Sequence, residues 1–267
     1  MCELLSTVNV IFVFFCIYMK TKNTLALSIL IGLSIGAAQS FQATSLFSLL
    51  LVMAFLNLLA KTQTRTNDAV IFFTFALSYL IGAVHWIGLG IYRPPVNGLI
   101  VSIFIWVFAV TSHACIHTGI YAAISFAARY AGLKNNVGQV IALALGWPLA
   151  ELLRSMGSWA MPWGLLGYGQ IDSPLFKGLY PIVGGLGVSG AMWLFAALML
   201  ALVRSLSLLY RHFRDDLRAH YVTKAGVQSI YALLTCGLAY SAQWLEFTSP
   251  AEQQILVRAV HTQWKMN

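Results

Sequence analysis

WPLAELLRSMGSWAMPWGLLGYGQIDSPLFKGLYPIVGGLGVSG, residues Trp147 to Gly190, decides how this 267-residue chain is read. It begins inside an apolar run and places Glu151 and Arg154 three residues apart, on one face of a helix. A Trp, Pro and Gly-rich passage from Ser155 to Lys177 follows, and then a second apolar run. Connections between packed helices are usually about 2 to 8 residues long. One of more than twenty, holding Trp159, Trp163 and Tyr168, predicts a folded loop with a task of its own.

The sequence around it fixes the class. Apolar residues make up 59% of the chain and charged residues 9%, with a mean hydropathy of +0.78. A soluble domain carries about 25% charged residues. The fold class expected is therefore all-α, a polytopic bundle of membrane helices. A formal net charge of +8 suggests nucleic acid in a soluble protein, but here the basic residues sit in short gaps between apolar runs, where they set topology. Nucleic acid is discounted as a partner. Cys2, Cys16, Cys115 and Cys236 show no metal or redox spacing.

Working outward, apolar runs cover about Leu4–Met19, Leu25–Ser40, Thr44–Ala60, Ala69–Ile91, Asn97–Phe126, Val137–Leu153, Gly178–Val203 and Gly226–Trp244. Glu3 precedes the first run and Lys20 and Lys22 follow it, the reverse of a cleaved leader. These runs predict about eight spans. With the N-terminus outside, eleven of the sixteen Lys and Arg fall in inner loops, among them Lys61, Arg129, Lys134 and Arg204. Lys and Arg concentrate on the cytoplasmic side, so both termini and the Ser155–Lys177 loop are expected on the outer face.

Several stretches carry a resemblance. Glu151-Leu152-Leu153-Arg154, PWGLLGYGQIDSPL (Pro162 to Leu175) and GLYPIVGGLGVS (Gly178 to Ser189) are similar to the membrane half of bacterial apolipoprotein N-acyltransferases. HWIGLGIYRPPVNG, from His85 to Gly98, resembles that family's Asn-Trp and Gly-Gly-x-Pro segment, with His85 in place of Asn and Arg93-Pro94 in place of the glycine pair. QWLEFTSPAEQQILVRAVHTQWK, from Gln243, resembles the end of the last membrane helix and the first strand of a nitrilase-like domain. The resemblance runs from about Leu25 to Lys265 and leaves the first span as an addition.

It implies three parts: an extra N-terminal membrane segment (1–22), an acyltransferase-like membrane domain (23–246), and the truncated start of a nitrilase-like domain (247–267), a short strand-like tail. Enzymes of the family move a phospholipid acyl chain through a cysteine thioester to the N-terminal amine of a lipoprotein, using Glu, Lys and Cys of the nitrilase-like domain. Those three are not found together in this chain, and a thiolate at mid-bilayer depth is strongly disfavoured. No catalytic residue is therefore assigned, and no cofactor or metal is implied. The implied partners are membrane phospholipid, a lipoprotein substrate and a separate nitrilase-like chain, and the implied location is the bacterial inner membrane with both termini periplasmic.

The candidate lipid-contact set is Trp163, Tyr168, Gln170, Glu151, Arg154 and Trp159, completed by Trp86 of the His85–Gly98 segment. Plainer readings stand beside each. The aromatic residues also suit an interfacial belt, and Glu151 with Arg154 suits a structural pair at a helix end, although ionisable residues inside membranes are functional candidates by default. His113 and His117 share a helix face, but with no third ligand evident they read as packing residues. Gly184, Gly185, Gly187 and Gly190 read as close helix-packing positions. The alternative to an acyltransferase component is a non-catalytic remnant, or a lipid-binding or transport membrane protein.

Overall fold

The computed structural model describes residues 24–39, 45–61, 65–92, 98–158, 160–211 and 218–244. The first apolar run, the strand-like tail, Arg93, Pro94 and Trp159 lie outside the described residues. Within them are seven α-helices and no strand: α1 (Thr24–Ala38), α2 (Ser45–Leu59), α3 (Arg65–Ile91), α4 (Leu99–Tyr130), α5 (Asn135–Arg154), α6 (Tyr180–Arg211) and α7 (Arg218–Ser241). Short 3-10 turns occupy Leu166–Gln170, Lys177–Leu179 and Ala242–Trp244.

The apolar runs locate α1 to α5 to within about a turn, while the described residues do not clearly make up eight spans. Four helical stretches have the length and hydropathy to cross a membrane: Asn67–Ile91, Leu99–Tyr130, Asn136–Arg154 and Lys177–Leu208. The other described helices fall short for two reasons. α1 and α2 have 15 residues each, which at 1.5 Å per residue reach about 22 Å, less than the roughly 30 Å hydrocarbon core. α7 instead begins in polar sequence, with Arg218, His220 and Lys224 in its first two turns.

Backbone contact replaces lipid between α1 and α3. A Cβ built on Gly32 would lie 2.1 Å from Ser78 Oγ, one on Gly36 2.3 Å from the Tyr79 carbonyl, and one on Gly82 2.8 Å from the Leu33 carbonyl. Small residues at this spacing let two membrane helices touch along their backbones. Ser28 Oγ adds a hydrogen bond to the Ile71 carbonyl at 2.7 Å. On α5, Pro148 deprives the Ala144 carbonyl of its helical donor, and Gly190 of α6 comes so close that a Cβ there would lie 2.6 Å from that oxygen.

The core is aromatic. Phe55 stacks on Phe75 with ring centroids 3.8 Å apart, Phe72 on Tyr121 at 4.3 Å, and Trp147 packs against Trp193 at 5.5 Å and His117 at 4.5 Å. Aromatic pairs add about 0.5–1.5 kcal/mol each beyond the area they bury. At the far end of the bundle from the long loop, polar side chains tie helix ends together. Gln139 of α5 donates to Asp68 at 3.1 Å and to the Leu59 carbonyl at 3.3 Å, and Asp68 pairs with Arg129 at 3.6 Å. Arg204 of α6 donates to Asn57 of α2 at 2.6 Å.

Candidate functional site

The connection from α5 to α6 folds over the other end of the bundle, and the last turn of α5 holds it there. Arg154 is 1% exposed. Its Nη1 donates to the carbonyls of Met161 and Trp163, both at 2.7 Å, and its Nη2 to the carbonyl of Gly164 at 2.6 Å. A guanidinium suits this because its planar fork presents several donors in fixed directions. Glu151, fully buried one turn earlier, accepts the Leu166 N–H at 2.6 Å and the Trp147 indole N–H at 2.8 Å, with the Ser189 hydroxyl beside it. The two side chains make no ion pair with each other within 4.0 Å. Both are directed at the loop backbone, which near a membrane must find its polar partners within the protein.

Five further side chains complete the anchoring. Tyr79 of α3 donates its hydroxyl to the Gly164 carbonyl at 3.0 Å, and Tyr180 donates to the Gly167 carbonyl. Ser189 of α6 accepts the Gly167 N–H at 2.8 Å. Gln39 reaches the Leu166 carbonyl at 3.3 Å, and Gln170, 1% exposed, reaches the Ser45 carbonyl at the start of α2 at 3.0 Å. Two glycines permit the close fit. Gly164 has a φ of +64° and faces Val84 Cγ1 at 3.0 Å from where its Cβ would stand; a Cβ on Gly167 would lie 2.2 Å from the Gly185 carbonyl.

Beneath the first half of the loop lies a cavity of about 570 Å³, lined by α3, α4, the end of α5 and the loop itself. Its wall is largely apolar, including Ile87, Ile105, Phe108, Leu153 and Trp163, with Arg154, Ser112, His113 and Ser158 as its polar points. Phe108, Leu153 and Met156 are exposed where it reaches the surface. α3 is kinked at Val84 (φ −124°, ψ 22°), and Trp106 of α4 caps the carbonyl there at 3.2 Å. Two residues on, Trp86 meets Trp163 edge to face, with centroids 5.9 Å apart and planes at 78°.

The predicted residues thus divide between two regions. Trp163 and Arg154 line the cavity and Trp86 packs on Trp163, while Tyr168 and Gln170 sit at the far end of the loop. The Tyr168 ring lies against α6, where a Cβ on Gly185 would be 2.9 Å from Cε1. Glu151 is sealed below them, and Trp159 lies outside the described residues. Of the glycine row, Gly185 and Gly190 are close packing positions, whereas Gly184 (φ +64°) interrupts α6. Sequence reasoning missed Tyr79, Trp106 and His113 as parts of this region. Trp147, four residues before Glu151, and Ser189, inside the quoted motif, were visible as helical neighbours and were not weighed.

Among the described residues no three of His, Cys, Asp and Glu gather as a metal site. Cys115 is a free, exposed thiol halfway along α4. The arrangement can hold a loop, shape a hydrophobic cavity at one end of the bundle, and present aromatic surface beside it.

Comparison with known proteins agrees with this architecture. The sequence profile described as apolipoprotein N-acyltransferase N-terminal domain matches residues 32–198, which span α1 to α6 and the whole loop. A protein of Brucella suis biovar 1 (strain 1330) named apolipoprotein N-acyltransferase is 31% identical over 130 residues, 46% of this chain and 22% of that protein. Relatives of the same name from Allorhizobium ampelinum and Coxiella burnetii are 28% and 30% identical, over 70% and 44% of this chain and 31% and 22% of their own lengths. The chain therefore spans less than a third of the length of these relatives. On the extent of the profile match, it belongs to the family of apolipoprotein N-acyltransferase N-terminal domains.

Proposed function

We propose that this membrane domain serves lipoprotein N-acylation by receiving phospholipid in the cavity beneath the long loop and presenting its acyl chain to a nitrilase-like catalytic domain. The observation that carries the reading is that Trp163 and Arg154 converge on one apolar cavity which opens at the surface of the bundle. Apolar walls suit acyl chains, and Trp163 and Trp86 offer flat amphipathic surface where chain meets headgroup. Arg154 and Glu151 contribute by holding the loop that forms the wall, while Tyr168 and Gln170 brace its far end. In this reading the second substrate is a lipoprotein and the location is the inner membrane, both supported by family membership, with the cavity on the periplasmic side, which the charge bias of the loops supports.

A phospholipid with a photoactivatable acyl chain, incorporated with the chain into bilayers, tests this. Crosslinks should concentrate on Trp159 to Gln170 and the facing part of α4, and Trp163→Ala should reduce them more than Trp244→Ala does. Equal labelling of both regions, unchanged by Trp163→Ala, would leave the aromatic residues as an interfacial belt.

A further inference from the structure

The opposite end of the bundle holds a second cavity, of about 560 Å³, between α2, α5, α6 and α7. That volume lies within the roughly 300–1,000 Å³ of small-molecule sites. Its two charged lining residues are both cations: Lys134, just before α5, and Arg204, near the end of α6. Each is without a carboxylate within 4.0 Å among the described residues. Arg204 is half-buried and held by a neutral partner, the Asn57 amide at 2.6 Å, so its direction is fixed while its charge is not neutralised. Asn136, Ser205 and Gln228 add neutral polar groups, and Gln228 Oε1 is buried with no hydrogen-bond partner among the described residues. Gln139, whose amide donates to Asp68, also lines the cavity, and the rest of the wall is aliphatic, with Leu56, Leu200 and their neighbours running away from the cations along the helices.

We infer that this cavity binds an anionic phospholipid of the leaflet opposite the loop, its phosphate between Lys134 and Arg204 and its upper chain along the aliphatic wall. The charge pattern decides the occupant. A zwitterionic headgroup brings a cation of its own into a pocket lined, among the described residues, by two cations and no acid, whereas an anionic one does not. The first turn of α5 carries no acidic residue, so the positive end of that helix acts in the same sense. Basic pockets between membrane helices select acidic lipid headgroups by the same physics. Gln228 Oε1 then accepts from a headgroup hydroxyl.

The test uses the 267-residue chain in nanodiscs holding phosphatidylcholine and phosphatidylglycerol in equal amounts, with retained lipid read by native mass spectrometry. Phosphatidylglycerol should be retained in preference. Lys134→Gln, an exposed change that leaves the packing intact, should lower that preference roughly fivefold, and Arg204→Gln by a similar factor. Added inorganic phosphate should not displace the lipid. Equal retention of the two lipids, or a preference unchanged in both variants, would overturn the assignment. Displacement by inorganic phosphate at the lipid's own concentration would also overturn it, leaving a simple anion site.

Discussion

Glu151 accepts the N–H of Leu166 at 2.6 Å, while Arg154, one turn later on the same helix, donates to the carbonyls of Met161, Trp163 and Gly164. The two opposite charges thus meet opposite polarities of one loop backbone. Replacing Glu151 by Ala leaves the Leu166 N–H and the Trp147 indole N–H without an acceptor in a buried site. At about 1–3 kcal/mol for each orphaned donor, Glu151→Ala should destabilise the domain by about 2–6 kcal/mol. Glu151→Gln keeps an acceptor oxygen and should cost about 1 kcal/mol. Thermal unfolding of the two variants in detergent separates them, and equal melting temperatures would contradict this account.

Arg154→Lys keeps the charge and loses the fork. A single ammonium on a flexible stem cannot hold the three carbonyls that two terminal nitrogens hold now. Amides from Met161 to Gly167 should exchange with deuterium roughly tenfold faster or more, with helix amides of α4 unaffected. Unchanged exchange in the loop would mean that other anchors suffice.

Gly164→Ala should be costly for two independent reasons. A φ of +64° costs an L side chain about 1–2 kcal/mol, and the added carbon would stand 3.0 Å from Val84 Cγ1 and 3.1 Å from Ala83 Cβ. Gly90→Ala is the matched control, since nothing lies within 4 Å of its Cβ position and alanine is the better helix former. The first variant should melt lower than the parent and the second at or slightly above it.

Topology follows from charge bias and is checked by reporter fusions. Alkaline phosphatase joined after Lys265 should be active, and the same reporter after Arg214 inactive, because the basic residues of the Arg204–Lys224 stretch favour the cytoplasm. The reverse pattern would put the long loop on the inner side and move the proposed phospholipid cavity with it.

What could be read in advance was one-dimensional. Hydropathy located α1 to α5 to within about a turn, and the Trp147–Gly190 stretch announced a folded loop, because apolar length and loop length are local properties. Depth was harder to judge: the runs of α1 and α2 read as spans already marginally short of the roughly 20 residues needed, and the helices have 15 residues each. Nor could it give Tyr79 its role, since an aromatic inside an apolar helix looks like packing until its hydroxyl is found beside Gly164, 85 residues along the chain. The Glu151–Arg154 pair was noticed for its charges, yet their partners are backbone groups, which every residue carries and no pattern marks.

The glycine contact between α1 and α3 also has a mechanical side. With Gly32, Gly36 and Gly82 leaving the two backbones touching, α1 and α3 behave as one strut. The loop is lashed to that strut at two adjacent points, the Leu166 carbonyl through Gln39 and the Gly164 carbonyl through Tyr79. The next two residues, Gly167 and Tyr168, rest on α6 instead, at Ser189 and Gly185. The 3-10 turn Leu166–Gln170 therefore bridges the strut and α6, which Phe75 and Trp193 also join directly with ring centroids 6.0 Å apart. A tilt of the strut against α6 would strain that turn together with the aromatic core, with Trp163 carried on the strut's side.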